Sequence, residues 1–139
     1  MNVHRCAARQ RVLLIDDDES IAGSLFRYLH TQGCEVDVAV DAASAALRMS
    51  AQRYDVVVVD PYLTGGVLQD DGALLAMIRG QQPTAALIVL TGYSSSALKI
   101  SAEREHASLV LAKPQPVTFL SQMIVDAFPS YADESLTSP

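Results

Sequence analysis

The chain has 139 residues, enough for one domain with a sizeable core and too few for two ordinary domains. Half of the residues are hydrophobic and 19% are charged, which excludes a disordered chain; the formal net charge of −6, with no basic cluster, excludes the electrostatics of direct nucleic-acid binding. No apolar stretch approaches the roughly 20 residues that cross a bilayer, and "MNVHRCAARQ" lacks the apolar centre of a signal peptide, so the expected location is the cytoplasm, with no membrane contact.

In chain order, residues 1–10 form an N-terminal extension and "RVLLID" is a short aliphatic strand. "SIAGSLFRYLHTQG" follows as a helix, with Ile21, Leu25, Tyr28 and Leu29 on its apolar stripe and Gly33 as its stop. "CEVDVAV" alternates like a strand, "DAASAALRMSAQ" is an Ala-rich helix opened by Asp41, and "YDVVVVD" is a continuous apolar run suited to a strand buried on both faces. After a glycine-rich loop, "DGALLAMIRGQ" is helical, Pro83 marks a break, and "AALIVLT" is a fourth buried strand. "SSSALKISAEREHA" is a weaker helix, and "SLVLAKP" is a fifth strand stopped by Pro114. "PVTFLSQMIVDAF" is a last helix with Pro116 near its first turn, and residues 129–139 are a polar C-terminal tail.

Strands alternating with helices in this way predict parallel pairing through right-handed crossovers, giving one α/β sheet covered on both faces over residues 11–128. Cys6 and Cys34 share no metal-ligand or redox spacing and are expected as reduced, structural thiols. His4, His30 and His106 are scattered, with no pairing that suggests zinc.

An open α/β sheet binds ligands at the carboxyl ends of its strands. Those ends are polar here: Asp16, Asp17 and Asp18 after the first strand, Asp60 after the third, Thr91 and Gly92 after the fourth, Lys113 and Pro114 after the fifth. Singly, each has a structural explanation, since Asp18 suits a helix cap and turns favour polar residues. Jointly, they bring together carboxylates whose mutual repulsion calls for a cation. Oxygen-only donors without Cys or His select a hard ion such as Mg2+, and a lysine and a threonine opposite it are suitable donors to phosphate oxygens.

In this pattern the chain resembles a response-regulator receiver domain of two-component signalling, similar to the chemotaxis regulators, over about residues 11–128. The resemblance implies a doubly wound five-stranded parallel sheet of order 2-1-3-4-5 with five helices, the flavodoxin-like receiver fold. It implies that Asp60 accepts a phosphoryl group from a sensor histidine kinase or a histidine phosphotransfer protein. By the same likeness Asp16, Asp17, Asp60 and the backbone carbonyl of Tyr62 hold Mg2+, Thr91 and Lys113 contact the phosphoryl group, and Gly92 leaves room for the donor or water. Asp18 falls outside the acidic pair and stays a cap. The implied activity is a switch, with magnesium-dependent self-phosphorylation and slow self-dephosphorylation, acting on an unidentified downstream protein and leaving a homodimer open.

The chain departs from the family pattern at three places. Thr64 stands where the family has a proline, within a lengthened "GGVLQDDG" loop; Pro61 has no amide to offer an oxygen; and Val110 stands where an aromatic residue usually changes rotamer with the threonine. The altered loop and Val110 speak for a second reading, a pseudo-receiver serving as a phosphorylation-independent interaction module, and the intact Asp16, Asp17, Asp60, Thr91 and Lys113 speak against it. A third, an aspartate-nucleophile phosphatase, is disfavoured because position 62 is tyrosine where those enzymes have a second aspartate.

Overall fold

The computed structural model describes residues 10–62, 71–93 and 95–128. Five strands and five helices alternate: β1 (Arg11–Ile15), α1 (Glu19–Thr31), β2 (Glu35–Ala39), α2 (Ala42–Ala51), β3 (Val56–Val59), α3 (Asp71–Gln81), β4 (Ala86–Thr91), α4 (Ser96–Arg104), β5 (Leu109–Ala112) and α5 (Val117–Asp126). All strand pairs are parallel and the order is β2-β1-β3-β4-β5, the doubly wound arrangement expected. The lengthened loop containing Thr64, the N-terminal extension and the C-terminal tail lie outside the described residues.

The sheet divides the core in two, and the period-2 geometry of strands decides which side chain goes where. Val57 and Val59 of β3 join Leu13, Ile15, Leu87 and Val89 against Ala45, Met49, Leu75, Ile78 and Leu98. Val56 and Val58 join Val12, Leu14, Ile88 and Leu90 against Leu25, Leu29, Leu120 and Ile124. Consecutive valines are thus the solution for a central strand with an apolar layer on each side, each side chain stiff at χ1 and suited to the pleat.

The helix ends follow their sequence signals. Asp18 caps α1, its Oδ1 accepting from the Ser20 amide at 3.1 Å, and Asp41 caps α2 by accepting from the Ser44 amide at 2.8 Å. Gly33 ends the α1 turn at φ 91°, the left-handed region that glycine enters without a Cβ clash.

Three expectations need correction. On α1 the buried stripe is Ala22, Leu25 and Leu29, while Tyr28 points outward, since a tyrosine can cover apolar surface and keep its hydroxyl wet. The fifth strand is not covered on both faces: β5 sits at the sheet edge, and Val110 and Ala112 are exposed in alternation with Leu109 and Leu111. Cys34 is buried and disulfide-bonded rather than a reduced thiol. Cys6 lies outside the described residues.

Candidate functional site

Register places the polar strand ends side by side. Ile15 is level with Val59, and Val59 with Val89, so Asp16 and Asp60 emerge at the same height on neighbouring strands. The backbone ladder runs one step past each strand and fixes both: the Asp16 amide donates to the Ala39 carbonyl at 3.0 Å and the Asp60 amide to the Ile15 carbonyl at 2.9 Å. Thr91 ends β4 opposite Ala112, and the next amide, that of Lys113, donates to the Thr91 carbonyl at 2.8 Å. A cis peptide joins Lys113 to Pro114.

The side chains then converge. Lys113 Nζ lies 2.8 Å from Asp16 Oδ2 and 2.8 Å from Asp60 Oδ2, with all three groups largely out of solvent. The second oxygens are held by backbone: the Asp18 amide donates to Asp16 Oδ1 at 2.9 Å, and the Tyr62 amide donates to Asp60 Oδ1 at 3.0 Å. The amide that Pro61 lacks is therefore supplied by the following residue.

Electrostatics follow from this packing. Burial pushes the Asp16 carboxyl above the ordinary carboxylate range, against the bonds from Lys113 and the Asp18 amide that pull it down. Burial also works against the Lys113 ammonium, but its bonds to Asp16 and Asp60 outweigh that and hold it above the ordinary lysine range. Asp18, fully exposed, is held below the usual value chiefly by the Ser20 hydroxyl, as befits a cap.

Sequence reasoning expected a cluster of carboxylates requiring a cation. Among the described residues no group of three His, Cys, Asp or Glu side chains surrounds one point. Asp16 and Asp60 are gathered instead on Lys113, whose ammonium supplies the neutralisation assigned to a metal, and Asp17 is exposed. Two buried carboxylates sharing one ammonium still carry net negative charge, and every candidate donor is an oxygen, so the residues present suit a hard divalent cation.

Thr91 is 1% exposed, and its hydroxyl is turned toward Tyr93, accepting from that amide at 3.1 Å and donating to that carbonyl at 3.3 Å. At Gly92 an added Cβ would meet nothing within 4 Å, so packing does not demand glycine there and the space beside it is open. Val110 borders a cavity of about 300 Å³ shared with Thr91, Lys99, Leu111 and Ala112. What the sequence reading missed is Tyr93, whose ring meets that of Tyr62; the available signal was an aromatic residue two positions beyond both Asp60 and Thr91.

Comparison with known proteins agrees with this geometry. The family model described as the response regulator receiver domain matches residues 12–125. The photosynthetic apparatus regulatory protein RegA of Rhodovulum sulfidophilum is 31% identical over 103 residues, covering 74% of this chain and 55% of its own length. This chain therefore spans about half of that relative. A response regulator of Burkholderia pseudomallei, whose structure has a phosphorylated aspartic acid and a calcium ion, superposes with a TM-score of 0.72 at 34% identity over 94% of this chain and 75% of that one. The beryllofluoride-activated NtrC4 receiver domain dimer superposes with a TM-score of 0.73 at 30% identity, over 85% of this chain and 95% of that one.

Proposed function

The chain belongs to the response regulator receiver family, and from that membership we propose that it is a phosphoacceptor switch in which Asp60 takes a phosphoryl group from a histidine kinase or a histidine phosphotransfer protein. The observation that carries this reading is the pair of 2.8 Å contacts from Lys113 Nζ to Asp16 and Asp60, a single buried ammonium beside the acceptor carboxylate. In the reaction an Asp60 oxygen attacks the donor phosphorus, the phosphorus–nitrogen bond breaks with its electron pair returning to the imidazole, and an acyl phosphate results. The bond between Lys113 and Asp60 then passes to a phosphoryl oxygen, and Thr91 donates to another after leaving Tyr93.

Asp16, Asp17, Asp60 and the Tyr62 carbonyl are the groups that would hold Mg2+, which supplies neutralisation of the carboxylates and of charge on the transferring group. The chain's own contribution is positioning: the ladder bonds fix the acceptor, the Tyr62 amide orients one of its oxygens, and the open space at Gly92 admits the donor or, later, a hydrolytic water. Residues 11–128 are the receiver unit, working in the cytoplasm and switching contacts with a downstream protein or a second copy. The dimer of the activated NtrC4 receiver supports the last of these. Among the described residues no helix is long and apolar enough to cross a membrane.

Intact mass after incubation with acetyl phosphate tests the reading. Wild type gains one phosphoryl group only with Mg2+ present, and Asp60→Asn gains none. Absence of labelling in wild type would leave the interaction-module reading in its place, and equal labelling of the mutant would move the acceptor elsewhere.

A further inference from the structure

Tyr62 and Tyr93 each stand two residues past a strand-end residue of the site, and each is tied by its backbone to the group it follows. The Tyr62 amide holds Asp60 Oδ1 at 3.0 Å, while the Tyr93 amide and carbonyl hold the Thr91 hydroxyl at 3.1 and 3.3 Å. Their rings meet edge to face, with centroids 5.4 Å apart and planes at 85°. Tyr62 is half-buried against the core, whereas Tyr93 is 63% exposed and meets Tyr62 through its ring.

A hydroxyl has one hydrogen to donate, and Thr91 gives its hydrogen to the Tyr93 carbonyl. It cannot donate to an oxygen newly placed on Asp60 without releasing that carbonyl. One of the two backbone anchors of Tyr93 is then lost. At the other arm, the Asp60 oxygen that accepts from the Tyr62 amide passes from a carboxylate to a neutral acyl oxygen, so that bond loses its charge assistance. One event therefore loosens both ends of the aromatic pair. Val110, short and stiff at χ1, offers no ring to report on Thr91 from the β5 side.

Resting on the phosphoacceptor reading above, we infer that the Tyr62–Tyr93 pair is a latch joining the segment after β3 to the segment after β4, and that occupancy of Asp60 opens it. An edge-to-face pair biases such an equilibrium by about two- to tenfold. Removing either ring therefore makes the resting state easier to leave.

The test uses the full chain labelled with 3-fluorotyrosine, titrated with beryllofluoride in the presence of Mg2+, with resonances assigned through single Tyr→Phe variants. The Tyr62 and Tyr93 fluorines shift together on binding while those of Tyr28 and Tyr54 stay in place. Tyr62→Leu, which keeps the backbone carbonyl, and Tyr93→Leu each tighten beryllofluoride binding about two- to tenfold, and the double variant gains no more than either alone. Tyr93→Phe keeps the ring and wild-type affinity, which separates a latch from a general loosening of the loop. Beryllofluoride binding registered at the Thr91 amide with both tyrosine rings unmoved, or with Leu substitutions that are additive, silent or weakening, would overturn the latch. Absence of any beryllofluoride response at Asp60 and Thr91 would instead sink the phosphoacceptor reading on which it rests.

Discussion

Replacing Lys113 by methionine removes the one ammonium shared by two buried carboxylates while keeping most of the aliphatic stem. Asp16 and Asp60 are 6% and 8% exposed, so neither can turn its charge fully to water. Removing one partner from a buried ion pair costs about 3–5 kcal/mol. Protonation limits the damage: at about 1.4 kcal/mol per pH unit, neutralising one carboxyl of ordinary pKa 3.8 costs roughly 4 kcal/mol at pH 7 and almost nothing at pH 4. The Lys113 pKa is raised on folding, so its contribution to stability is present in full below the ordinary value of 10.5 and is lost only as pH rises through the higher folded value. At pH 7 wild type has all of it. Lys113→Met is therefore expected to lose about 3–4 kcal/mol at pH 7 without divalent cations, a large share of the 5–15 kcal/mol typical of a domain, and much less at pH 4. Urea unfolding with and without Mg2+ measures this, and Mg2+ should stabilise the mutant more than wild type because the competing cation is gone. A mutant as stable as wild type at pH 7 in chelator, with no larger response to Mg2+, would refute the assignment of Lys113 as the neutralising group.

The other predictions concern its neighbours. Asp16→Asn should raise the urea midpoint at pH 7, because folding raises the Asp16 pKa and the ionised form costs stability there; the gain should close as pH falls below 3.8, where wild type is protonated in both states. Asp18→Ala should lose about 1 kcal/mol with Mg2+ affinity unchanged, whereas Asp17→Ala should weaken Mg2+ binding in a calorimetric titration. The Asp18 deficit has the opposite pH sense: a lowered pKa gives stability present above 3.8 and lost as pH falls through the folded value. Gly92→Ala should unfold at the wild-type midpoint, since its methyl meets no atom within 4 Å, yet take up phosphoryl from acetyl phosphate more slowly in an intact-mass time course.

Much of the fold was legible because its signals are local. Four consecutive valines bounded by Asp60 and Pro61 have one reading in an alternating chain, and α3 begins and ends where its periodicity does, at Asp71 and Gln81. The strand-end residues were legible for the same reason: parallel topology brings all carboxyl ends to one edge, so Asp16, Asp60, Thr91 and Lys113 could be grouped before any contact was known. What escaped depends on three-dimensional neighbours. Gln82 is polar yet 4% exposed, because its side chain accepts from the Tyr54 amide and donates to the Met49 and Gln52 carbonyls, partners distant in sequence that no periodicity reveals. The exposure of Val110 follows from the edge position of β5. The resting direction of the Thr91 hydroxyl, donating to the Tyr93 carbonyl and accepting from the Tyr93 amide, has no sequence signature.

The central claim is that Asp60 is the residue that carries the phosphoryl group. Borohydride reduces an acyl phosphate to an alcohol and leaves free carboxylates unchanged, so trapping after incubation with acetyl phosphate and Mg2+ marks the acceptor permanently. Peptide mass spectrometry of the trapped protein should find homoserine at position 60 and unmodified aspartate at 16, 17 and 18. Homoserine at any of those three positions, with Asp60 intact, would contradict the account.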